Sequence, residues 1–302
     1  MSAVPVHVAR RANFTVIDRA GIERAMSGTL FVVATPIGNL EDLSPRARQT
    51  LAEVELVAAE DTRHTGRLLS HLGVKTRQIA LHEHNEARVA DTLIEQLQRG
   101  TSVALVSDAG TPLVSDPGYR LVQAAHAHGI AVAPVPGPSA VTAALSVSGL
   151  PTDRFAFEGF PPARPAARRK WLQARAGDER TLVFFEAVHR IAATLADMVD
   201  VFGADRDAFL GRELTKLHEQ CIAASLGELL DELSSGAIVS KGEFVVAIGG
   251  TTRPEASSLE LDRLLSELLE VVPARQAAAI AARITGGRRN AMYERILEIA
   301  GD

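Results

Sequence analysis

The sequence predicts an α/β protein with two α/β domains and a small helical tail. Three observations carry this. Short apolar runs alternate with segments of helical period from Thr29 onward, LPTDRF (150–155) breaks that rhythm, and the chain beyond residue 258 holds helical patterns alone. In the first set the strand-like runs are TLFVVAT, ELVAAE, QIALH, SVALVSD and AVAPVP. Continuous apolar runs mark strands covered on both faces, and helical crossovers between them make the sheet parallel. SPRARQTLAEV opens its helix with Ser44 as N-cap and Pro45 at the first helical position; DTRHTGRLLSHLG closes on Gly73; NEARVADTLIEQLQRG and GYRLVQAAHAHG follow. A last helix, PSAVTAALSVSG, is predicted to start at Pro138 and completes an N-terminal domain over 28–150.

The second set, FAFEGF, TLVFFEA, AFLGREL, CIAASL and EFVVAIGG, has only WLQARAG, HRIAATLADMVDVFG and GELLDELSSG as helices. Strands that follow one another without a crossover pair antiparallel, so a mixed sheet is predicted over 151–252. TTRPEASS reads as a polar linker to a three-helix tail over 259–302 whose outline resembles a helix-turn-helix. Residues 1–27 show no periodicity and are expected to be a disordered extension.

A chain of 302 residues, 46% hydrophobic, has the apolar content for two cores. Its 32 Lys and Arg against 37 Asp and Glu leave a net charge of −5, which excludes a global basic field; any nucleic-acid contact has to be local. A single cysteine, Cys221, excludes an internal disulfide framework and a thiolate zinc cluster, as expected for a reducing, cytoplasmic location. No apolar run approaches the roughly 18–20 residues that span a bilayer, so no membrane partner is expected.

In an open α/β sheet, ligands collect beyond the carboxyl ends of the strands. Five loops meet that condition: TPIGNLED (35–42), EDTRHTGR (60–67), HEHNE (82–86), SDAGTPLVSDPG (107–118) and PGPSA (136–140). The first is not G-x-G-x-x-G, and no Gly-Lys-Ser/Thr occurs, which argues against dinucleotide and P-loop sites. Glu60, Asp61, Asp108, Asp116, His82 and His84 lack both a zinc spacing and the phosphate-holding partners that accompany magnesium. No metal is expected, and these acids read as helix caps and hydroxyl acceptors.

Taken together, VATPIGNLEDLSPRA, AAEDTRHTGRLL, ALVSDAGTPLVSDPG, PVPGPSAVTAAL, FEGFPP, LGRELTKLHE and KGEFVV resemble the tetrapyrrole methylase superfamily over essentially 28–250. Precorrin and diphthine methylases of that superfamily carry a G-x-G-x-G-D-like first loop. ATPIGNLED departs from it and resembles the branch that methylates the ribose 2′-oxygen of a decoding-region cytidine in small-subunit (16S) ribosomal RNA. The resemblance implies two α/β domains with a cofactor cleft between them, S-adenosylmethionine as methyl donor and a homodimer. It also implies ribosomal RNA, or the assembled 30S subunit, as partner. Cofactor contacts are implied at Pro36, Asp108, Gly110, Thr111, Ser139, Ala140, Gly159 and Glu213.

A sugar hydroxyl is a weak nucleophile, so some group must take its proton or stabilise the developing alkoxide; the candidates are Glu60, Arg63, His64, Glu213 and Lys216. For EDTRHT two readings stand: chemistry, or capping of the next helix through Asp61 or Thr62 with Arg63 and His64 in solvent. Of the two Ser-Asp pairs, Asp108 reads as a ligand contact and Asp116 as a helix N-cap or loop brace. RNA affinity needs local positive charge. Arg164, Arg168, Arg169 and Lys170 beside Trp171, in FPPARPAARRKW, are expected to form a mobile RNA-binding loop; for Arg288 and Arg289 in the tail, RNA contact and plain solvation stay equally open. The alternatives are a methylase of a small tetrapyrrole or other nucleophile, and a non-catalytic RNA-binding scaffold. The 4% aromatic content counts against the first, and intact SDAGTP and PGPSA count against the second.

Overall fold

The computed structural model of the chain describes residues 27–251 and 258–301; the extension expected over 1–27 therefore lies, apart from Ser27, outside the described residues. The chain divides into two units between Ala140 and Val141. The first contains β1 (Thr29–Val33), α1 (Pro45–Glu53), β2 (Leu56–Ala59), α2 (Thr62–Leu72), β3 (Arg77–Ala80), α3 (Glu86–Gln98), β4 (Val103–Val106), α4 (Tyr119–Ala127) and β5 (Ala131–Val135). All strands pair in parallel, in the order β3-β2-β4-β1-β5. The two-residue period of a strand sends alternate side chains to opposite faces. Leu56 and Ala58 of β2 pack with α3 and α4 through Leu93, Leu97 and Leu121, while Val57 and Ala59 pack with α1 and α2 through Leu51, Leu68 and Leu69.

Local signals set the helix ends. The Ser44 side chain accepts from the Ala47 N–H ahead of Pro45, Asp61 accepts from the Arg63 N–H, and Gly73 ends α2 at φ 70°. The last helix expected in this set, α5 (Ala140–Val147), starts two residues later than the sequence suggests. The Pro138 carbonyl accepts from the Thr111 hydroxyl at 3.1 Å instead of opening the helical ladder.

The second unit has β6 (Phe155–Gly159), α6 (Pro165–Gln173), β7 (Thr181–Ala187), α7 (Ile191–Phe202), β8 (Asp207–Arg212), β9 (Gln220–Ser225), α8 (Leu226–Ser235) and β10 (Glu243–Ile248). Its sheet is mixed, in the order β6-β7-β10-β8-β9, with β6 and β7 parallel and the other pairs antiparallel. Leu172 of α6, Ile191, Leu195 and Met198 of α7, and Leu226, Leu229 and Leu233 of α8 pack with Phe184, Leu210, Phe244 and Val246 of the sheet. The tail forms α9 (Ser258–Leu269), α10 (Ala274–Thr285) and α11 (Arg289–Gly301), with its own core of Leu265, Ala277, Ala278, Ala281, Met292 and Ile296.

One expected loop is a helix. α6 begins at Pro165, so Arg168, Arg169 and Lys170 are helical rather than part of a mobile FPPARPAARRKW loop. Pro at the first helical position, followed by Ala, Arg and Lys, is a good helix sequence that the charge run disguised.

Candidate active site

Strand order fixes where a ligand crevice can form in the first unit. The connections leaving β1 and β2 carry α1 and α2 on one face; those leaving β3 and β4 carry α3 and α4 on the other. β4 lies between β1 and β2, so beyond its carboxyl end the connections part to opposite faces. Such a switch point is where open α/β sheets bind ligands. SDAGTP occupies it.

Three loops are tied together there. The Thr35 N–H donates to the Gly110 carbonyl at 2.8 Å and the Gly110 N–H donates back to the Thr35 carbonyl at 3.0 Å. The Thr35 hydroxyl donates to the Ser107 carbonyl at 3.2 Å, and Thr111 to Pro138 joins the loop after β5. Gly110 has φ 80°, and a Cβ there would lie 3.3 Å from Ile37 Cγ2 and 3.7 Å from the Pro138 carbonyl oxygen. Pro36, Gly110, Thr111, Ser139 and Ala140 thus stand on one connected rim. Thr35 was not singled out by the sequence, because its partner lies 75 residues away.

Asp108 links this rim to the end of β2. Its Oδ1 accepts from the Asp61 N–H at 3.1 Å, and its own N–H donates to the Glu60 carboxylate at 3.4 Å. Burial raises Glu60 above the ordinary glutamate value; the Asp108 N–H opposes this, and the charges of Asp108, Glu83 and Asp61 add to it. Asp116 is pushed up to about 6, first by burial and then by the charges of Glu60 and Asp108, against a hydrogen bond with Ser107. Among the described residues, no group of three or more His, Cys, Asp or Glu is disposed to hold a metal ion.

Asp116 does not cap α4, so the N-cap reading fails and the loop-brace reading is the one left. Gly118 precedes α4, and the buried Glu86 of α3 caps it by accepting from the Gly118 and Arg120 N–H groups at 3.1 and 2.8 Å. The backbone around Asp116 is unusual: Leu113 and Ser115 both have positive φ, 74° and 67°. Because the native protein holds the Asp116 proton more tightly than the unfolded chain, its stability falls as pH rises from the ordinary aspartate value, 3.8, to about 6. Asp116→Asn is expected to raise the unfolding midpoint at pH 8, with the gain vanishing below about pH 4; a pH series of thermal melts reads this.

On α2, Asp61 caps through the Arg63 N–H and also pairs with the Arg63 guanidinium at 2.6 Å. That pairing holds the Asp61 carboxyl well below its usual range. Arg63 and His64 are exposed in the first turn. Capping by Asp61 and an exposed Arg63 available to a substrate therefore coexist.

In the second unit, Gly159 sits at a register shift after Phe157, at φ 70°. Glu213 follows β8, three strand spacings from β6 and so about 14 Å across the sheet. Glu213 and Lys216 are engaged with each other at 2.9 Å; Lys216 also reaches Glu243 at 2.9 Å, and the Glu243 N–H donates to Glu213. Burial pushes Glu213 up, but the Lys216 ammonium and the Glu243 N–H outweigh it and hold it below the ordinary value. Gly242, at φ 91°, packs where any Cβ would collide with the Glu213 carboxylate. Both candidates are thus integral to the turn after β8.

The expected RNA cluster splits. Arg168 is buried, 3% exposed, and its Nε donates to Asp197 at 2.6 Å, so it serves the core of the second unit and not a surface. The sequence reading of Arg168 as an RNA contact is corrected by this pairing with a residue on α7. Arg164 and Lys170 are exposed, and Arg169, half exposed, reaches the other oxygen of Asp197 at 3.1 Å.

A family profile described as Tetrapyrrole (Corrin/Porphyrin) Methylases matches residues 29–230, and one described as RsmI C-terminal HTH domain matches 255–300. The chain is 53% identical over 278 residues to a ribosomal RNA small subunit methyltransferase I of Pseudomonas aeruginosa, covering 91% of this chain and 99% of that one. It is 52% identical over 267 residues to the protein of the same name from Xylella fastidiosa, covering 88% and 98%. The uroporphyrin-III-C-methyltransferase structure from Thermus thermophilus aligns with a TM-score of 0.53 at 21% identity, covering 74% of this chain and 94% of that one, a likeness of fold. The chain therefore belongs to the tetrapyrrole (corrin/porphyrin) methylases, and within them to the family of ribosomal RNA small subunit methyltransferase I.

Proposed function

We propose that the protein methylates the ribose 2′-oxygen of a decoding-region cytidine in small-subunit ribosomal RNA, with S-adenosylmethionine as methyl donor. The observation that carries this, beside family membership, is the connected rim at the carboxyl end of β4. S-adenosylmethionine presents ribose hydroxyls, an adenine edge and an amino acid. Those groups call for carboxylates and bare backbone, and the loops at 35–42, 107–118 and 136–140 carry Asp108 and Gly110 but no Lys or Arg to cradle phosphate. The residues present fit the cofactor. Pro36, Asp108, Gly110, Thr111, Ser139 and Ala140 would hold it, while Gly159 and Glu213 stay proposed contacts on the family resemblance.

When bound, the cofactor supplies an electrophilic methyl group on a sulfonium. The protein's own task is to align the ribose and manage one proton. Glu60, raised by burial, is the proposed proton acceptor, because a weaker acid makes a stronger base near neutrality. The exposed Arg63 would hold a substrate phosphate or the developing alkoxide, with Asp61 orienting its guanidinium. His64 is exposed beside it, and Lys216 keeps Glu213 in place. Arg164, just before α6, and Arg169 and Lys170 on it are the proposed RNA contacts, without Arg168. The reading extends to an assembled small subunit as substrate, a homodimer and a cytoplasmic location. Among the described residues no helix is long and apolar enough to cross a membrane.

Arg63→Ala is expected to reduce methyl transfer by about 100-fold or more while cofactor binding by calorimetric titration stays unchanged; unaltered turnover would remove Arg63 from the chemistry. The reading as a whole is tested by mass mapping of ribosomal RNA nucleosides from cells with and without the gene. Loss of one 2′-O-methylcytidine is the expected result. An unchanged map, together with no heat on titration with S-adenosylmethionine, would favour the RNA-binding scaffold instead.

A further inference from the structure

The arginines of the tail fall into two classes. Arg295 of α11 is locked between Asp262 of α9, at 2.7 Å, and Glu298. From Ala274 to Ala291, through α10, the turn and the start of α11, the chain has Arg275, Arg283, Arg288 and Arg289 and not one acid. Arg283, Arg288 and Arg289 are exposed and make no ion pair among the described residues. They flank one tight corner. Gly286 ends α10 at φ 75°, the Gly287 N–H donates to the Thr285 hydroxyl, and a Cβ on Gly287 would strike Met292 Cε. The corner is fixed to the tail core by Ala281, Met292 and Ile296, and Ile284 stands 60% exposed between the cations.

We infer that this α10–α11 corner is a second RNA-binding surface, which grips the phosphate backbone of the substrate RNA through Arg283, Arg288 and Arg289. The inference rests on the RNA reading above for its partner. Three exposed guanidiniums have no carboxylate partner among the described residues in a chain with net charge −5, and only Arg283 is partly engaged, its Nε donating to the Ala279 carbonyl of its own helix at 3.3 Å. Planar forks of five donors match phosphate oxygens in pairs, and an exposed isoleucine among them suits the apolar face of a ribose or base. The acids of the tail lie elsewhere, on α9, at Glu270 just after it, and from Glu294 onward, so the corner keeps its positive potential.

The test compares the full-length protein with Arg283→Gln/Arg288→Gln/Arg289→Gln and with the corresponding triple Lys variant. The probe is protein-free small-subunit ribosomal RNA over a salt series. The Gln variant is expected to bind at least about tenfold more weakly and to lose roughly 2 to 3 from the slope of log affinity against log salt, one increment per lost phosphate contact; the Lys variant is expected to keep the slope. S-adenosylmethionine titration should be unchanged in both. A second measurement does not depend on those variants: p-benzoylphenylalanine in place of Asn290 should cross-link to RNA on irradiation. Unchanged affinity and slope with no cross-link would overturn the inference. So would a Gln variant that binds free RNA normally but loses assembled subunits, since the partner would then be a protein. If the wild-type protein binds RNA with the steep slope yet transfers no methyl either to it or to small subunits from cells lacking the gene, the methylation reading fails while the corner's assignment stands.

Discussion

Gly110→Val is expected to weaken S-adenosylmethionine binding by about 100-fold or more, read as loss of heat in a calorimetric titration. Gly110 sits at φ 80°, where a β-branched residue is strained, and its Cβ would lie 3.3 Å from Ile37 Cγ2 with two further methyl groups to place. The loop would have to withdraw from the paired exchange with Thr35 that ties β1 to β4. Strain alone does not make this a site, so the matched control is Gly73→Val. Gly73 has φ 70° but nothing within 4 Å of a Cβ, and it ends α2 at the opposite end from its N-cap Asp61. That variant should lose some stability and still bind the cofactor normally. Equal loss of binding in both, or in neither, would remove Gly110 from the cofactor rim.

Arg168→Ala is expected to destabilise the second unit by about 3 kcal/mol, the low end of the cost of breaking a buried ion pair. Its partner Asp197 is 7% exposed and would keep only Arg169, at 3.1 Å. That remaining contact is the reason for choosing the low end. In a thermal melt the midpoint should fall by roughly 6–12 °C. Arg169→Ala, by contrast, removes a half-exposed partner and should cost no more than about 1 kcal/mol. Its effect should appear instead in RNA affinity and salt slope. If Arg168→Ala proved as stable as wild type and lost RNA binding, the inward assignment of Arg168 would be wrong.

The fold was legible because its signals are local or periodic. Ser44 and Pro45, Asp61, and Gly73 mark helix ends by chemistry that acts within a few residues. The continuous apolar runs of β2 and β4 announce strands buried on both faces, and these are two of the three interior strands of the first sheet. The site was legible as a set of loops, since all βα loops of a parallel sheet fall on one rim. Which loop matters most was not, because strand order is not written in any short segment. Only the order β3-β2-β4-β1-β5 puts SDAGTP at the switch point.

Individual side chains divided the same way. Asp108 and Gly110 stood out by their loop. The identical Ser-Asp pair at Ser115 and Asp116 differs in its backbone, with Ser115 at φ 67°, in the burial that raises Asp116, and in the Glu86 cap that leaves Asp116 no helix to start. Arg168 and Arg169 are adjacent in the chain and both reach Asp197, but Arg168 is buried against it while Arg169 keeps half its surface in solvent. The tail arginines repeat the pattern, Arg295 held by acids and Arg288 and Arg289 left free of them.

The sequence by itself determined the two α/β units, the parallel and mixed sheets, the helical tail and the family, because hydrophobic period, caps and motif order are properties of neighbouring residues. The tertiary structure alone decided which charges are spent within the protein and which remain for a ligand. A charge is neutralised by whatever lies within a few ångströms of it, and for Arg168 and Arg295 that partner comes from a distant part of the chain.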